Sequence, residues 1–450
     1  MAKIIISIDH KWRDLPAYVY IGMILEKKGH DVQWIRNGYE PYYVVSQKPD
    51  LIVMIHLYDL ERQKFALELK RQGILVVLMP TEGIATLEGY RKFAAGVDND
   101  LSSVDLHFCW NELTAAIVNE NPTIDKSNIL TIGCPRFDFY SNPLSKIVIK
   151  KENFCHLHGL NYHFPIVTFA TNFTQAQFHI KNQDFLVRDA KKLGYAKTVE
   201  KIVGGLDRMA QRDYESRDLL INAFIKLVKE FEGVNFVLKL HPSEEHLYYY
   251  KLLDSKLEPY RKRITIISKA YIWDVLSVSD VEMVRSCTTG IESWMTGKPT
   301  IEMKLNPDEW YFSPEHASGS FIATSYESLK EKLQFYLAGG SVDKKISKER
   351  QKFLKKWCYK LDGNRSEAVA DILDDLLQKS RPDKKIEFSV KKWLVWLLLF
   401  LSDYRVHDIK IYGLKMFSSN RVDKLGRIDK FFNRKDVNDW RKRLDKIVNL

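Results

Sequence analysis

Cysteine is scarce and scattered in this 450-residue chain: Cys109, Cys134, Cys155, Cys287 and Cys358 form no CxxC pair and are odd in number. That pattern argues against a disulfide framework or a structural zinc ligand set, and it points to a reducing compartment. Glycine-rich phosphate loops are missing too. Neither GxGxxG nor GxxxxGKS/T occurs, which removes support from NAD enzymes and P-loop NTPases. The twelve histidines lack HExxH spacing, and His156 with His158 beside Cys155 is a weak basis for zinc, so no metal site is implied. Long apolar runs are also absent. The run Trp393–Leu401 is nine residues, against roughly 20 needed to span a bilayer. Met1–Ile8 reads as a buried strand rather than a signal peptide, because Asp9-His10-Lys11 stands where small residues would mark cleavage.

What is present is ordinary in bulk: 45% hydrophobic and 28% charged residues, the composition of a globular protein. The length suggests two domains plus an appendage. Charge is uneven. Residues 381–450 carry eighteen Lys and Arg against nine Asp and Glu, which accounts for most of the net +11. Trp393 and Trp396 beside Lys391 and Lys392 form the pattern of an interfacial element facing anionic lipid. The alternative is a carboxy-terminal helix packed on a domain surface with a solvated basic face. Nucleic acid is not an expected partner.

Apolar strands alternate with helical periodicity along the rest of the chain. Ile4–Ile8, Asp31–Ile35, Asp50–Ile55, Ile74–Met79, Val104–Cys109 and Ile129–Ile132 read as strands, with helices at Tyr18–Lys28 and Glu61–Gln72. A charged and aromatic stretch over 142–163 precedes a second series. Its strands are Pro165–Ala170, Asn235–Leu240, Ile264–Ile267, Val281–Val284 and Pro299–Met303. Its helices are Asp213–Phe231, Glu245–Leu257, Glu327–Leu337 and Lys348–Lys360, the last crossing back towards the first domain. This order predicts two parallel, Rossmann-like α/β sheets facing a cleft: 1–150 on the acceptor side, 164–380 binding a nucleotide donor, and 381–450 as a basic tail.

Three segments carry candidate chemistry. Met79-Pro-Thr-Glu-Gly83 follows the most apolar strand; Gly83 permits a positive φ or a close ligand, and Glu82 is placed as a partly desolvated general base. Thr81 or Glu82 could instead merely cap the next helix. His241 closes a strand ahead of Pro242, which holds it extended at the sheet edge; the competing reading is a core histidine. Lys239 shares its strand face. Ser286-Cys-Thr-Thr-Gly-Ile-Glu292 opens a helix where Ser286, Thr288, Thr289 and Gly290 suit a phosphate and Glu292 suits ribose hydroxyls, unless the segment is a plain threonine N-cap.

Thr81-Glu82-Gly83, His241-Pro242 and Cys287-Thr288-Thr289 resemble, in order and placement, the acidic-Gly, His-Pro and Ser-Ser/Thr motifs of bacterial sialyltransferase and Kdo-type transferase families. Ile132-Gly-Cys-Pro-Arg-Phe-Asp138 and Thr168-Phe-Ala-Thr-Asn-Phe173 are similar to bacterial surface carbohydrate biosynthesis and capsule-synthesis proteins. The resemblance covers roughly residues 1–375. It implies a GT-B fold, Glu82 as base, and His241, Thr288 and Thr289 on the phosphate of a CMP donor. Thr81 replaces an acidic residue and Cys287 a serine of that pattern.

The expected function is therefore an inverting, metal-independent glycosyltransferase of surface polysaccharide biosynthesis, attached to the inner face of a cell membrane. It would use no cofactor beyond a nucleotide-activated sugar, a CMP-linked ulosonic acid being favoured, and a saccharide or lipid-linked acceptor. Alternatives are a CDP-glycerol or CDP-ribitol polyol-phosphate transferase, a UDP-N-acetylhexosamine epimerase-like enzyme, and an inactive membrane-attached scaffold.

Overall fold

The computed structural model describes residues 1–181, 183–380, 384–408 and 430–448. Two parallel sheets of six strands organise the chain. The first contains β1 (Lys3–Ile8), β2 (Asp31–Arg36), β3 (Leu51–Met54), β4 (Leu75–Leu78), β5 (Leu106–Cys109) and β6 (Ile129–Thr131), in the order β2-β1-β3-β4-β5-β6. The second contains β7 (Ile166–Ala170), β8 (Asn235–Lys239), β9 (Ile264–Ile267), β10 (Val281–Val284), β11 (Thr300–Met303) and β12 (Phe321–Ala323), in the order β12-β11-β10-β7-β8-β9. The two-domain, Rossmann-like GT-B expectation holds.

The strand residues explain this architecture. Leu51–Met54 and Leu75–Leu78 are buried throughout, as strands covered on both faces must be. Ile4, Ile6 and Ile8 face one hydrophobic cluster while Ile5 faces another. The order reverses between β1 and β3 in the first sheet and between β7 and β10 in the second. Ligands of open α/β sheets bind outside the strand ends at such switch points.

The C-terminal part of the chain is not an appendage. The helix Arg365–Lys379 packs on the helix Leu15–Lys27, and the helix Arg434–Val448 covers the same face of the first sheet through Val437, Trp440 and Leu444. The helix expected over Lys348–Lys360 spans Lys344–Trp357 and does cross back, its Trp357 clustering with Trp110 and Phe137 of the first domain, and Arg365–Lys379 continues the crossing. The helix Val390–Ser402 lies on the opposite face, with Leu399, Val395 and Trp396 against Tyr43 and Val44. At the β2 edge, Arg36 donates to the Phe432 carbonyl at 2.6 Å and pairs with Asp408. The packed-helix reading of residues 381–450 therefore applies to much of the tail, while its 381–383, 409–429 and 449–450 portions lie outside the described residues.

The helix Lys151–His158, from the stretch read as a linker, packs under the second sheet through Phe154 and Cys155. Short elements escaped the sequence reading, among them the strand β12 and the helices Glu40–Gln47, Glu88–Ala94 and Glu112–Val118. The helix expected over Asp213–Phe231 begins earlier, at Leu206.

Candidate active site

The strand ends at the two switch points supply the site. Beyond β1 runs Asp9-His10-Lys11-Trp12-Arg13, and beyond β3 lies His56. Arg13 is the hub: its guanidinium reaches Asp9 at 3.2 Å, Asp14 at 2.8 Å and Glu82 at 3.1 Å.

Glu82 is presented by a loop pinned from below. Trp110 Nε1 donates to the Pro80 carbonyl, and Asn111 Nδ2 donates to that of Gly83. Gly83 is required by the Trp110 ring, which a Cβ would meet at 2.3 Å, and not by a positive φ. Neither Thr81 nor Glu82 caps the next helix, whose N-cap is Leu87. The Glu82 side chain is 82% exposed and paired with Arg13, so the expected desolvation is not what prepares this carboxylate. Tyr58, Tyr90 and Tyr311 surround it closely enough that its charge helps to raise their hydroxyl pKa values, after burial as the main cause.

His241 lies past the end of β8, half-buried. Its Nδ1 accepts from the Ser243 N–H at 3.1 Å, so the neutral ring carries its proton on Nε2. Burial first, then the charges of Lys430, Lys239 and Arg13, push its pKa down to about 3. The imidazole is thus a neutral hydrogen-bond donor at physiological pH rather than a cation. Lys239 is buried, donates among the described residues to the Leu240 carbonyl at 3.2 Å, and is lowered to about 8 by burial. Its charge is felt at His10 across the cleft as well as at His241.

The helix Thr288–Met295 opens at Cys287 without a side-chain cap. Thr288 is half-buried at its first turn. The neighbouring expectations need correction. The Ser286 hydroxyl donates to Glu302 at 2.9 Å, with its backbone N–H on the same carboxylate and φ at 41°. The Thr289 hydroxyl is buried beside Glu282 without a hydrogen bond of normal geometry. Gly290 permits close helix–sheet packing, since a Cβ would stand 3.1 Å from Val284. Glu292 does not wait for a ribose: Tyr140 donates to it at 2.6 Å and Arg136 pairs with it at 3.4 Å, tying the two domains together.

The structure therefore brings Glu82, Lys239 and His241 together around Arg13 and His10, leaves Thr288 half-buried at a helix start, and directs Ser286, Thr289, Gly290 and Glu292 elsewhere. Sequence reading missed Arg13, His10 and Lys430. The signal for the first two was the polar run directly after the first strand, used only to reject a signal peptide. The step Asp98-Asn99-Asp100, which has the acidic DxD form, lies in a turn tied down by Gln63 and Asn121.

No family model and no curated protein sequence matches the chain. Its fold is similar to that of solved structures. One is S. aureus MnaA with UDP, at 13% identity and TM-score 0.51, covering 86% of this chain and 100% of that one. Another is the wall teichoic acid polymerase TagF, a variant soaked with CDPG, at 12% identity and TM-score 0.51, covering 84% and 89%. A third is Methanocaldococcus jannaschii UDP-GlcNAc 2-epimerase with UDP-GlcNAc and UDP, at 15% identity and TM-score 0.50, covering 83% and 99%. At these identities the likeness is one of fold.

Proposed function

We propose that the chain is a glycosyltransferase acting in surface glycan biosynthesis on a nucleotide-activated donor. The observation that carries this reading is the pairing of Glu82 and His241 from opposite sheets around one shared cation, Arg13. In the reaction, Glu82 takes the proton of an acceptor hydroxyl. That oxygen attacks the anomeric carbon from the face opposite the phosphate, the bond to the phosphate oxygen breaks, and its electron pair leaves with the phosphate. His241 Nε2–H, the Thr288 segment and Lys239 stabilise the charge that collects there; fixed donors act most strongly where charge develops in the transition state. Arg13 holds Glu82 toward the cleft and must release it for proton transfer.

The motif resemblance favours a CMP-linked ulosonic acid as donor. The three solved structures hold UDP, UDP-GlcNAc or CDPG, so their ligands lend that nucleotide no support. A saccharide or lipid-linked acceptor and attachment to the inner membrane face complete the reading. The helix Val390–Ser402 supports that attachment, because Val390, Leu394, Leu398 and Leu401 are exposed along one side beside Lys391 and Lys392. No helix among the described residues is long and apolar enough to cross a membrane. A thermal-shift screen with CMP, CDP, UDP and GDP tests the reading, since a ligand of the folded state raises its stability by mass action. Stabilisation by one nucleotide is expected; none with all four would overturn it.

A further inference from the structure

Two histidines from different sheets share one arrangement. His10 follows β1 and His241 follows β8, and each accepts on Nδ1 from the backbone N–H two residues later: Trp12 at 3.0 Å and Ser243 at 3.1 Å. Each neutral ring therefore carries its proton on Nε2. His10 is only 4% exposed, and its Nε2 is buried with no hydrogen-bond partner among the described residues. A buried donor left unsatisfied is costly unless something fills its site. The two rings are close enough for the charge state of His241 to bear on His10.

The C-terminal extension delivers a cation to the same place. The Lys430 carbonyl accepts from the Lys11 N–H at 2.8 Å, which fixes Lys430 beside the residue that follows His10. Its ammonium makes no ion pair among the described residues, and it is felt at Asp9, His10 and His241. Lys239 adds a second cation, this one buried, with a backbone carbonyl as its hydrogen-bond partner among the described residues. Asp9 and Asp14, the nearby anions, are engaged by Arg13. Two neutral N–H donors and two ammonium groups without an ion pair among the described residues therefore meet beside a single carboxylate, Asp9, which Arg13 already holds at 3.2 Å and which Lys430 also acts on. Such a set suits a phosphate, whose oxygens accept charge-assisted hydrogen bonds from several directions.

We propose that His10 and Lys430 complete, with His241 and Lys239, a phosphate site shared by both sheets and closed by the C-terminal extension. It takes a phosphoryl group of the bound nucleotide, and so rests on the reading given under Proposed function. The extension then becomes part of the substrate site, and an anion bridging His10 and His241 draws the two sheets together.

Calorimetric titration of the full-length chain tests this with the four nucleotides above and with inorganic pyrophosphate. His10→Asn keeps an acceptor at the δ position for Trp12 and removes Nε2; Lys430→Met removes the charge from a half-buried loop residue. Each should weaken nucleotide affinity about tenfold or more, the scale of a hydrogen bond to a charged group. Lys435→Met, exposed on the following helix, should leave affinity unchanged. Affinity within twofold of the unaltered chain in both His10→Asn and Lys430→Met would overturn the site. Pyrophosphate binding that depends on His10 and Lys430, in a chain binding no nucleotide, would keep the site and remove the nucleotide reading. Binding of neither probe would remove both.

Discussion

Arg13 donates to Glu82 at 3.1 Å, and the same guanidinium is close enough to His241, on the other sheet, to help hold that ring neutral. The proposed base and the proposed phosphate donor are therefore linked through one charge before any substrate arrives. An Arg–carboxylate pair at an 82% exposed side chain is worth little to stability. Its value is positional: it keeps the carboxylate oriented while leaving it accessible.

Glu82→Gln removes the base and keeps the shape. Transfer should fall by about 10²- to 10⁴-fold, the usual contribution of general base catalysis. Nucleotide affinity should stay within a few-fold, because the base acts only on the acceptor. Loss of nucleotide binding in this variant would reassign Glu82 to donor recognition.

His241→Ala should weaken both nucleotide affinity and rate, since the bound phosphate already carries charge in the ground state. The structure adds a condition absent from the sequence argument, namely that the ring donates as a neutral imidazole. His241→Gln, which can place an N–H near the Nε2 position, should therefore recover part of the affinity lost in His241→Ala. Equal affinity in the unaltered chain and His241→Ala would leave His241 without a ground-state role at the phosphate.

Much of this was legible in the sequence and some could not be. Apolar strands such as Leu75–Leu78 declare themselves because burial on both faces demands uniform hydrophobicity. Glu82 and His241 were visible because each follows such a strand. Side-chain direction was not visible. Ser286 and Thr289 sit in a motif that suits phosphate, yet buried Glu302 and Glu282 stand beside them, supplied by strands whose pattern reads as simple core. Glu292 turned toward Arg136 and Tyr140, a partnership across 152 residues that no local spacing encodes. Lys430 was hidden for the same reason, inside a charge surplus read as a property of the tail.

Three buried carboxyls predict an unusual pH dependence of stability. Burial raises Glu244 to about 7, Glu302 to about 7 and Glu282 to about 8. In the unfolded chain such groups ionise near 4.5, so above that pH the folded state binds more protons and stability falls as pH rises. Buried His56 and His107, lowered to about 4, act in the opposite sense only below about 6.5, where the unfolded chain protonates them. Between pH 6.5 and 8 the glutamates act without that opposition, each contributing a loss of up to about 1.4 kcal/mol per pH unit while its folded form remains protonated. The melting temperature should drop across this window. Glu282→Gln should flatten the drop, because neither Glu282 oxygen has a hydrogen-bond partner of normal geometry. An identical slope in this variant would rule out Glu282 as a source.

A tail that did nothing but face lipid could be removed, residues 381–450 entire, without loss of the nucleotide-binding body. The structure predicts the opposite. Phe432, Val437, Trp440 and Leu444 are in or against the core of the first domain, and Trp440 Nε1 donates to Tyr271 Oη at 2.6 Å. Full burial of each such side chain is worth about 1.5–3 kcal/mol, against a typical total stability of about 5–15 kcal/mol. The truncated chain should be insoluble or lack a cooperative melt. Trp440→Ala alone should cost about 3–5 kcal/mol by denaturant titration. A soluble truncation with unchanged melting would show that these contacts contribute nothing.

Lipid binding must then be tested without deletion. The helix Val390–Ser402 offers the means, because its two sides have separate tasks. Leu399 is buried against the first sheet, whereas Leu394, Leu398 and Leu401 are 53%, 51% and 74% exposed. Replacing those three by serine removes the apolar stripe and leaves the packed side intact, so the melting temperature should hold. Co-sedimentation with anionic vesicles should fall sharply in this variant. Lys391→Gln with Lys392→Gln should weaken binding to anionic vesicles and spare any residual binding to neutral ones, each lysine being worth about 1 kcal/mol near such a surface. Binding by the unaltered chain should also decline with salt, as the Debye length shrinks from about 10 Å at 0.1 M to 3 Å at 1 M. Equal sedimentation of the unaltered and serine-substituted chains would remove the stripe from the proposed membrane attachment.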